Sequence, residues 1–260
     1  MTAKRRQSFH EYYEELYPER WEALSKAFAA DQEYAELKDG LLKPYYLDPA
    51  SVRVAKALDA SSGSELLDLC AAPGGKTLVI ALDMPADARL TANDRSAGRR
   101  ARLHKVLDEH LAKDVRDRIS VTGHDASKWG LHRKDSYDRI LLDAPCSSER
   151  HVINSAPHLK QWSPARTKHL GIQAFAMLAS AFDALMPGGR LVYSTCSISP
   201  LENEAVVEKL LKKRQNSALL EIDTKEEEKA SSGYRLWPDT DHRWGPIYYA
   251  VITKTQVNET

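Results

Sequence analysis

The chain has 260 residues, 42% of them hydrophobic, enough for one large domain with a buried core. No apolar run approaches the roughly 20 residues of a membrane-spanning helix. No apolar stretch follows the basic residues 4–6 either, so the sequence predicts neither a membrane protein nor a secreted one. Lys plus Arg and Asp plus Glu number 37 each, and a neutral chain that binds nucleic acid must do so through local basic patches.

The cysteines and histidines indicate neither a disulfide framework nor a metal site. The three cysteines form no Cys-x-x-Cys pair, and the nine histidines lack the spacing of a metal-binding motif. The sequence therefore predicts a protein without a metal. It predicts a reducing compartment, either the cytoplasm or, in a eukaryote, an organellar matrix.

The first 40 residues are rich in aromatic and charged side chains. Leu24, Phe28, Tyr34 and Leu37 recur at near-helical spacing and predict a helix over Trp21–Lys38. We expect residues 1–40 to form a helical appendage on a main domain of residues 41–260. A plain amphipathic helix that covers a sheet would give the same pattern.

From Glu65 onward, short apolar runs alternate with longer helical patterns, among them Gly98–His110 and Pro164–Leu185. Such alternation predicts βαβ units and a mainly parallel sheet with helices on both faces. The predicted strands are Leu66–Leu69, Arg89–Ala92, Ile119–Thr122, Arg139–Leu142 and Leu191–Tyr193.

Three further elements are expected toward the end of the chain. Pro200–Lys213 reads as one more helix, and Asp223–Lys229 reads as a charged, solvated loop. Tyr248–Thr253 follows a Gly-Pro pair and predicts a closing strand.

Polar and reactive residues collect where the predicted strands end. Ligands of open α/β sheets bind outside the carboxyl ends of the strands, so we expect these residues at one site. Acids, glycines and two thiols at five strand ends indicate a site for a ligand and for chemistry. The segments are Cys70–Thr77, Asn93-Asp94, His124-Asp125, Asp143–Cys146 and Ser194–Cys196.

The glycine-rich segment after the first strand fits neither common nucleotide motif. A phosphate-binding P-loop would have glycine where Cys70 stands, and no Gly-x-Gly-x-x-Gly pattern follows this strand. Gly74 and Gly75 instead predict a tight turn that lets the backbone approach a ligand closely. Lys76 is then free to meet a carboxylate, such as that on the methionine half of S-adenosylmethionine.

Two acids suit the nucleoside half of the same cofactor. Asp94, at the end of the second strand, is placed to accept from two ribose hydroxyls, and Asp125 from an adenine amino group. Either acid alone is as well explained as a helix cap or turn residue. As a set with the glycine turn, they fit a nucleoside cofactor that has no pyrophosphate.

These segments resemble the Sun/Nop family of RNA cytosine-5 methyltransferases from about Leu41 onward. The resemblance implies a Rossmann-like S-adenosylmethionine-dependent fold with seven strands, the last antiparallel. It also implies the compact type that lacks an added RNA-binding domain. The segments that carry it are Tyr46–Ser51, Ala71–Thr77, Asn93-Asp94 with Arg99, Asp143–Ser148, Ser194–Ser197 and Trp244–Pro246.

The resemblance also assigns roles to individual residues. It implies that Cys196 is the attacking thiol and that Cys146 serves release of the product. In DNA cytosine methyltransferases the attacking cysteine is instead the one that follows proline, which here is Cys146. The implied cofactor-binding residues are Ala72, Pro73, Gly74, Gly75, Lys76, Asp94, Arg99, Asp125 and Asp143.

The chemistry of carbon 5 of cytosine explains the need for a thiol. That carbon is a poor nucleophile, and addition of a thiolate to carbon 6 activates it for methyl transfer. The surroundings of Cys196 should therefore lower its pKa from about 8.5. Asp143 is the candidate acid near ring nitrogen 3. Cys70, in contrast, is expected to be a small buried apolar residue.

Two other classes of protein share part of this pattern. A methyltransferase acting on a protein or small molecule would share the cofactor residues but would not need two thiols. A non-catalytic RNA-binding module would not need Lys76, Asp94 and Cys196 together.

The sequence predicts the class of RNA substrate less specifically than it predicts the reaction. Ribosomal RNA is expected before transfer RNA, a protein or ribosomal-particle partner is possible, and the chain is expected to be a monomer. Candidate RNA contacts lie at 99–105, 132–134 and 160–169, although ordinary solvated helix faces have the same composition.

Overall fold

The computed structural model describes residues 7–256; residues 1–6 and 257–260, including the basic residues 4–6, lie outside the described part. Short 3₁₀ helices occur at Ala60–Ser62 and Ala126–Lys128. In chain order the helices are α1 (Phe9–Leu16), α2 (Trp21–Ala29), α3 (Pro49–Lys56), α4 (Gly75–Asp83), α5 (Ala97–His110), α6 (Lys113–Arg116), α7 (Trp129–His132), α8 (Glu149–Ile153), α9 (Ala156–Gln161), α10 (Pro164–Ala184) and α11 (Glu204–Lys213). The strands are β1 (Ala35–Leu37), β2 (Tyr45–Leu47), β3 (Glu65–Asp68), β4 (Arg89–Asn93), β5 (Ile119–Thr122), β6 (Tyr137–Asp143), β7 (Leu185–Thr195), β8 (Ser217–Leu219), β9 (Glu228–Ala230), β10 (Gly233–Leu236) and β11 (Ile247–Lys254).

Nine strands of the described chain form the main sheet. Its order is β5-β4-β3-β6-β7-β11-β10-β9, and β8 also pairs with β11. Strands β3 to β7 are parallel, whereas β8 to β11 join antiparallel. The predicted α/β fold with a parallel central sheet and an antiparallel closing strand is confirmed. The expected count of seven strands is wrong, because the chain between α11 and β11 adds three short antiparallel strands.

The strand order creates a crevice between β3 and β6. From β3 the chain winds outward through β4 and β5, then returns to β6 on the other side of β3. Ligand sites of such sheets form at the carboxyl ends of the two strands where the winding reverses. The segment that begins at Cys70 therefore faces the end of β6 at Asp143.

Helices cover both faces of the sheet. Leu66 and Leu67 on β3 are fully buried on opposite faces, because successive strand side chains alternate. Helices α3, α4 and α5 pack on the face of Leu66, and α7, α10 and α11 pack on the face of Leu67. Burial on both faces is the reason that these strands read as continuous apolar runs.

The N-terminal segment is helical in its first part and extended in its second. The helix predicted over Trp21–Lys38 ends at Ala29, and Ala35–Leu37 is the strand β1. Pairing of β1 with β2 satisfies its backbone and leaves Tyr34 exposed. This hairpin also crosses the expected boundary between residues 1–40 and 41–260.

Aromatic side chains join α1 and α2 to the rest of the protein. Phe9, Tyr13 and Trp21 pack against one another, and Phe9 and Tyr13 also pack against Trp162 from the segment that precedes α10. Trp237, which follows β10, belongs to the same buried cluster. Burying a large aromatic side chain contributes on the order of 1.5–3 kcal/mol, so α1 and α2 are firmly attached.

Two expectations for the C-terminal part need correction. The helix predicted over Pro200–Lys213 begins at Glu204, because Ser199 to Asn203 form a turn. Asp223–Lys229 is not a wholly solvated loop. The Glu227 side chain is fully buried and forms an ion pair with Arg53, and residues from Glu228 onward form β9.

One glycine marks a close contact between α10 and the turn before α11. A Cβ atom at Gly171 would lie 2.3 Å from the carbonyl oxygen of Leu201, whereas a Cβ at Gly98 in α5 would meet nothing within 4 Å. We expect Gly171→Ala to lower the free energy of unfolding by about 1–3 kcal/mol through overpacking. Gly98→Ala should raise it by about 0.4–1 kcal/mol. Urea unfolding of both variants checks this, and equal effects of the two changes would contradict the close contact.

Candidate active site

Three cavities in the described chain lie side by side along the carboxyl edge of the sheet. The first, of about 550 Å³, is lined by residues that follow β3, β4 and β5. The second, of about 130 Å³, adjoins the glycine-rich loop, and the third, of about 530 Å³, contains Cys196. Cys70 lines the first and second, while Lys76 and Asp143 line the second and third. The strand ends singled out in the sequence thus form one continuous site.

Asp94 is fixed at the end of β4. Its Oδ1 accepts from the amide of Ser96 at 2.9 Å. Its buried Oδ2 accepts no hydrogen bond from residues 7–256 and lies 3.2 Å from Nη1 of Arg99. A buried carboxylate oxygen with unused acceptor capacity suits the hydroxyl groups of a ribose. Arg99 also donates to the carbonyl of Ala72, so it connects Asp94 to the glycine-rich loop.

Asp125 both caps a 3₁₀ helix and lines the first cavity. Its Oδ1 accepts from the hydroxyl and amide of Ser127 at 2.8 and 3.0 Å, and these bonds lower the pKa of the carboxyl. Its Oδ2 lies 3.7 Å from Nη1 of Arg95. The two oxygens thus have separate surroundings, and the capping role leaves Oδ2 for a ligand.

The two glycines of the loop have different neighbours. Gly74 has a φ of +123°, and a Cβ there would lie 3.0 Å from Val106 on α5. A Cβ at Gly75 would lie 3.0 Å from the ring of Tyr45. Gly75 lines the second cavity together with Ala72 and Pro73. Gly74 therefore allows α5 to pack closely, and Gly75 is the glycine that lines the cavity.

Lys76 is not free, contrary to the sequence expectation. Its Nζ donates to Oδ2 of Asp143 at 2.8 Å, and Oδ1 of Asp143 accepts from the Ser194 hydroxyl at 2.8 Å. Burial opposes the charge on Lys76, but the attraction of Asp143 outweighs it and raises the pKa of the lysine. Periodicity cannot reveal this pair, because its members are 67 residues apart. Asp143 still lines the same cavity as Cys196.

Cys146 and Cys196 lie side by side. Their sulfur atoms are 3.2 Å apart, and the Ser148 hydroxyl lies 3.1 Å from the Cys196 sulfur. Cys196 is exposed and lines the third cavity, whereas the half-buried Cys146 is not among the described residues that line it. An attacking group must reach the substrate directly, so this arrangement favours Cys196 as the nucleophile.

The two thiols are electrostatically unequal. The hydrogen bond from Cys146 lowers the pKa of Cys196, with a further contribution from Ser148. The same bond, together with burial, raises the pKa of Cys146. Of the two thiols, Cys196 is therefore the more readily ionised, and a thiolate is the nucleophilic form of cysteine.

Cys70 has surroundings of a different kind. It is half-buried, packs with the apolar face of Leu67, and burial raises its pKa. It nevertheless lines the first two cavities. A protonated, weakly polar side chain there agrees with its interpretation as a small apolar residue.

A buried pair of carboxyl groups behind the thiols was missed at the level of sequence. Glu149 and Glu202 are 0% and 1% exposed. The Ser147 hydroxyl oxygen lies within hydrogen-bond distance of an oxygen of each, and the Ser197 hydroxyl contacts both at 2.9 and 3.3 Å. Ser147 and Ser197 directly follow the two cysteines, and their hydroxyl groups indicated that these turns need hydrogen-bond partners. Nothing in the sequence identified Glu202 as one of those partners.

The described residues show neither a membrane-spanning helix nor a cluster of metal-binding side chains. No helix between residues 7 and 256 is long and apolar enough to cross a bilayer. Over the same range, His, Cys, Asp and Glu do not gather in a group of three or more that would hold an ion.

The chain is similar to known RNA methyltransferases. The family described as 16S rRNA methyltransferase RsmB/F matches residues 55–253. The Bos taurus 5-cytosine rRNA methyltransferase NSUN4 is 39% identical over 72% of this chain and 50% of its own length. The mitochondrial tRNA (cytosine(34)-C(5))-methyltransferase of Danio rerio is 34% identical over 83% of this chain and 62% of its own. The chain thus spans about half of the length of NSUN4.

A solved structure supports the same comparison. NSun6 from Pyrococcus horikoshii, crystallised with SFG, is 26% identical with a TM-score of 0.68. The match covers 82% of this chain and 54% of that one.

The buried carboxyl pair gives the protein a specific dependence on pH. Burial, and then the charge of Glu149, raises the pKa of Glu202 to about 7 from an ordinary value of 4.5. Between these values the folded state keeps a proton that the unfolded chain releases. The free energy of unfolding should therefore fall as pH rises through this window, by at most about 1.4 kcal/mol per pH unit.

Glu202→Gln removes this titration, so the variant should lose that part of the pH dependence. Urea unfolding at intervals between pH 4.5 and 8 measures the difference from the wild-type protein. Glu14→Gln, which changes an exposed carboxylate on α1, is the control and should leave the slope in place. An unchanged slope in Glu202→Gln would refute the assignment.

Proposed function

This chain belongs to the family of 16S rRNA methyltransferases RsmB/F, and on that premise we propose that it methylates carbon 5 of a cytosine in RNA. The methyl donor is S-adenosylmethionine, and the reaction passes through a covalent adduct with Cys196. The observation that carries the proposal is the pair of thiols 3.2 Å apart, of which Cys196 opens into a cavity beside Asp143. A protein or small-molecule methyltransferase has no use for this pair.

The residues along the first two cavities fit the cofactor. Asp94 would accept from its ribose, Asp125 from its adenine, and Arg99 orders the loop between them. The turn of Ala72, Pro73, Gly74 and Gly75 would lie against its methionine half. Lys76 is paired with Asp143, so in this proposal the two act as a unit, in which the lysine offers its remaining donors to the cofactor carboxylate. S-adenosylmethionine supplies an electrophilic methyl group there.

The third cavity would hold the target cytosine after it leaves its stack, at a cost of a few kcal/mol. Cys196, already polarised toward the thiolate, adds to carbon 6 of the ring. Ring nitrogen 3 takes up a proton from solvent water as the sulfur adds, and Asp143, fixed by Lys76 and Ser194, accepts a hydrogen bond from it. Carbon 5 then takes the methyl group. In the release step Cys146, the adjacent thiol, passes its own proton to solvent water and takes the carbon-5 proton in its place. The electron pair of the broken C–H bond restores the double bond to carbon 6, the Cys196 sulfur leaves as a thiolate, and ring nitrogen 3 returns its proton to solvent.

Ribosomal RNA is the favoured substrate, because the matching family is described by 16S rRNA and NSUN4 by rRNA. Transfer RNA is the second candidate, since the Danio rerio tRNA enzyme matches more of both chains. The neutral net charge suggests that a ribosomal particle or a protein partner contributes to recognition by a monomeric enzyme. Bisulfite sequencing of both RNA classes from a strain that lacks the gene identifies the cytosine.

The two thiols also bear on the compartment. Sulfur atoms 3.2 Å apart, one of them exposed, would be vulnerable to oxidation outside a reducing environment. We therefore place the enzyme in the cytoplasm or in an organellar matrix.

Binding of the cofactor should depend on Asp94. We expect S-adenosylmethionine to bind with a micromolar Kd, about −8 kcal/mol. Asp94→Ala should weaken binding by about 1.5–3 kcal/mol, the worth of a charge-assisted hydrogen bond. Calorimetry measures both, with Asp87→Ala, which changes an exposed residue between α4 and β4, as the control. Equal affinity in Asp94→Ala and the wild-type protein would contradict the assigned ribose contact.

The two cysteines should leave opposite traces when they are removed. Cys196→Ala should abolish both methyl transfer and the covalent complex, because no nucleophile reaches the cavity. Cys146→Ala should attack and methylate but stall before release, so that protein stays crosslinked to RNA. A denaturing gel with labelled RNA and cofactor distinguishes the two variants.

The reverse outcome of the same gel, an adduct in Cys196→Ala and none in Cys146→Ala, would overturn the assignment. Cys146 would then be the nucleophile, as in the DNA cytosine methyltransferases, and a DNA substrate would become the better hypothesis.

A further inference from the structure

The N-terminal helix α1 reaches the turns that carry both thiols. Tyr13 is fully buried, and its hydroxyl donates to Oε1 of Glu149 at 2.5 Å. Tyr17 donates its hydroxyl to the carbonyl of Ile198 at 2.6 Å. Glu149 lies three residues after Cys146, and Ile198 lies two residues after Cys196. A segment outside the matched region 55–253 therefore contacts each cysteine turn.

The carboxyl groups of Glu149 and Glu202 tie the two turns to each other. Ser147 directly follows Cys146, and its amide donates to Oε2 of Glu202 at 2.8 Å. Ile198 donates its amide to Oε2 of Glu149 at 3.1 Å. With the hydroxyl contacts of Ser147 and Ser197, each turn is bonded to both carboxyl groups. Neither turn can shift without breaking several of these bonds.

One of the two buried carboxyl groups has to carry a proton. The Ser147 hydroxyl has one proton to donate, yet its oxygen lies within hydrogen-bond distance of a carboxyl oxygen from each glutamate. The second contact requires a proton on a carboxyl group. Two buried carboxylates close together would otherwise repel strongly, and the raised pKa of Glu202 assigns that proton to Glu202.

We propose that Tyr13, Glu149 and Glu202 are positioning residues that hold the sulfur atoms of Cys146 and Cys196 at their 3.2 Å separation. In this view α1 is part of the methyltransferase site and more than a cover for the sheet. The inference rests on the proposed function for its catalytic meaning, but the geometry that it concerns is a property of the protein alone.

The distance between the two sulfur atoms matters because the hydrogen bond between them lowers the pKa of Cys196 and raises that of Cys146. A hydrogen bond weakens steeply as its distance and angle depart from the optimum, so loosening either turn should return Cys196 toward the ordinary pKa of a thiol. The nucleophilic fraction at neutral pH would fall with it.

The test compares two buried tyrosines that each lose a hydroxyl. Tyr13→Phe removes the bond to Glu149. Tyr248→Phe is the matched control, because Tyr248 is equally buried but donates to the Ser232 carbonyl in the antiparallel part of the sheet. Each variant is treated with iodoacetamide over a range of pH, and alkylation of Cys196 is followed by mass spectrometry of its peptide. Melting temperature, kcat and the KM for S-adenosylmethionine are measured on the same samples.

We expect Tyr13→Phe to raise the pH midpoint of Cys196 alkylation by about 0.5–1 unit, which lowers the thiolate fraction near pH 7 about three- to tenfold. The kcat should fall by a similar factor while the KM for the cofactor is unchanged. Tyr248→Phe should lower the melting temperature comparably and leave the midpoint and kcat unchanged. A merely structural role of Tyr13 would make the two variants alike, and that result would overturn the proposal.

Variants of Glu202 keep the proposal testable if Tyr13→Phe folds poorly. Glu202→Gln preserves a neutral side chain that can still hydrogen-bond to Ser147, so its Cys196 midpoint should stay close to that of the wild-type protein. Glu202→Ala removes the bridge and should raise the midpoint. Equal midpoints in Glu202→Ala and the wild-type protein would refute the positioning role.

Failure of the proposed function gives a different result. In that case the wild-type protein would form no RNA adduct, while the Cys196 midpoint would still respond to Tyr13→Phe. The response of the thiol supports the positioning role, and the missing adduct refutes the proposed reaction.

Discussion

The parallel register between β6 and β7 is the constraint on which the site depends. It sets Asp143 opposite Ser194, and the amide of Ala144 donates to the carbonyl of Ser194 at 2.8 Å. Cys146 and Cys196 follow these residues by three and two positions, so two strands that end side by side bring their thiols together. A slip of one residue would turn each side chain to the opposite face of the sheet. Asp143 would then lose both Ser194 and Lys76.

Much of this architecture could be predicted from the sequence because it is encoded locally. The parallel strands are buried on both faces and therefore appear as apolar runs, and the reactive residues follow those runs directly. Their common location was predictable from one rule about parallel sheets. Helices α5 and α10 begin and end within a residue of their expected bounds, and Ser96 and Ser163 cap their N-termini.

The features that sequence could not predict depend on partners far away in the chain. Beyond Ala29 the chain forms the strand β1, which pairs with β2, instead of continuing the predicted helix. Strands β8 and β10 pair with β11, and β9 pairs with β10. Lys76 meets Asp143 across 67 residues, and Tyr13 meets Glu149 across 136. Glu202 was overlooked for the same reason. A buried glutamate is tolerable only among donors that the fold supplies, and composition cannot show where those donors lie.

The arrangement of the three cavities also has a kinetic consequence. The first and third cavities have no described lining residue in common, and the small second cavity lies between them. Each has an exposed residue in its wall, Arg95 in the first cavity and His151 in the third. Because the two large cavities have different walls, a ligand in one does not occupy the wall of the other. If the first cavity holds the cofactor and the third the target base, as proposed, spent cofactor can be exchanged while the nucleic acid stays in place. An enzyme built in this way is suited to random-order turnover on a large, slowly dissociating substrate.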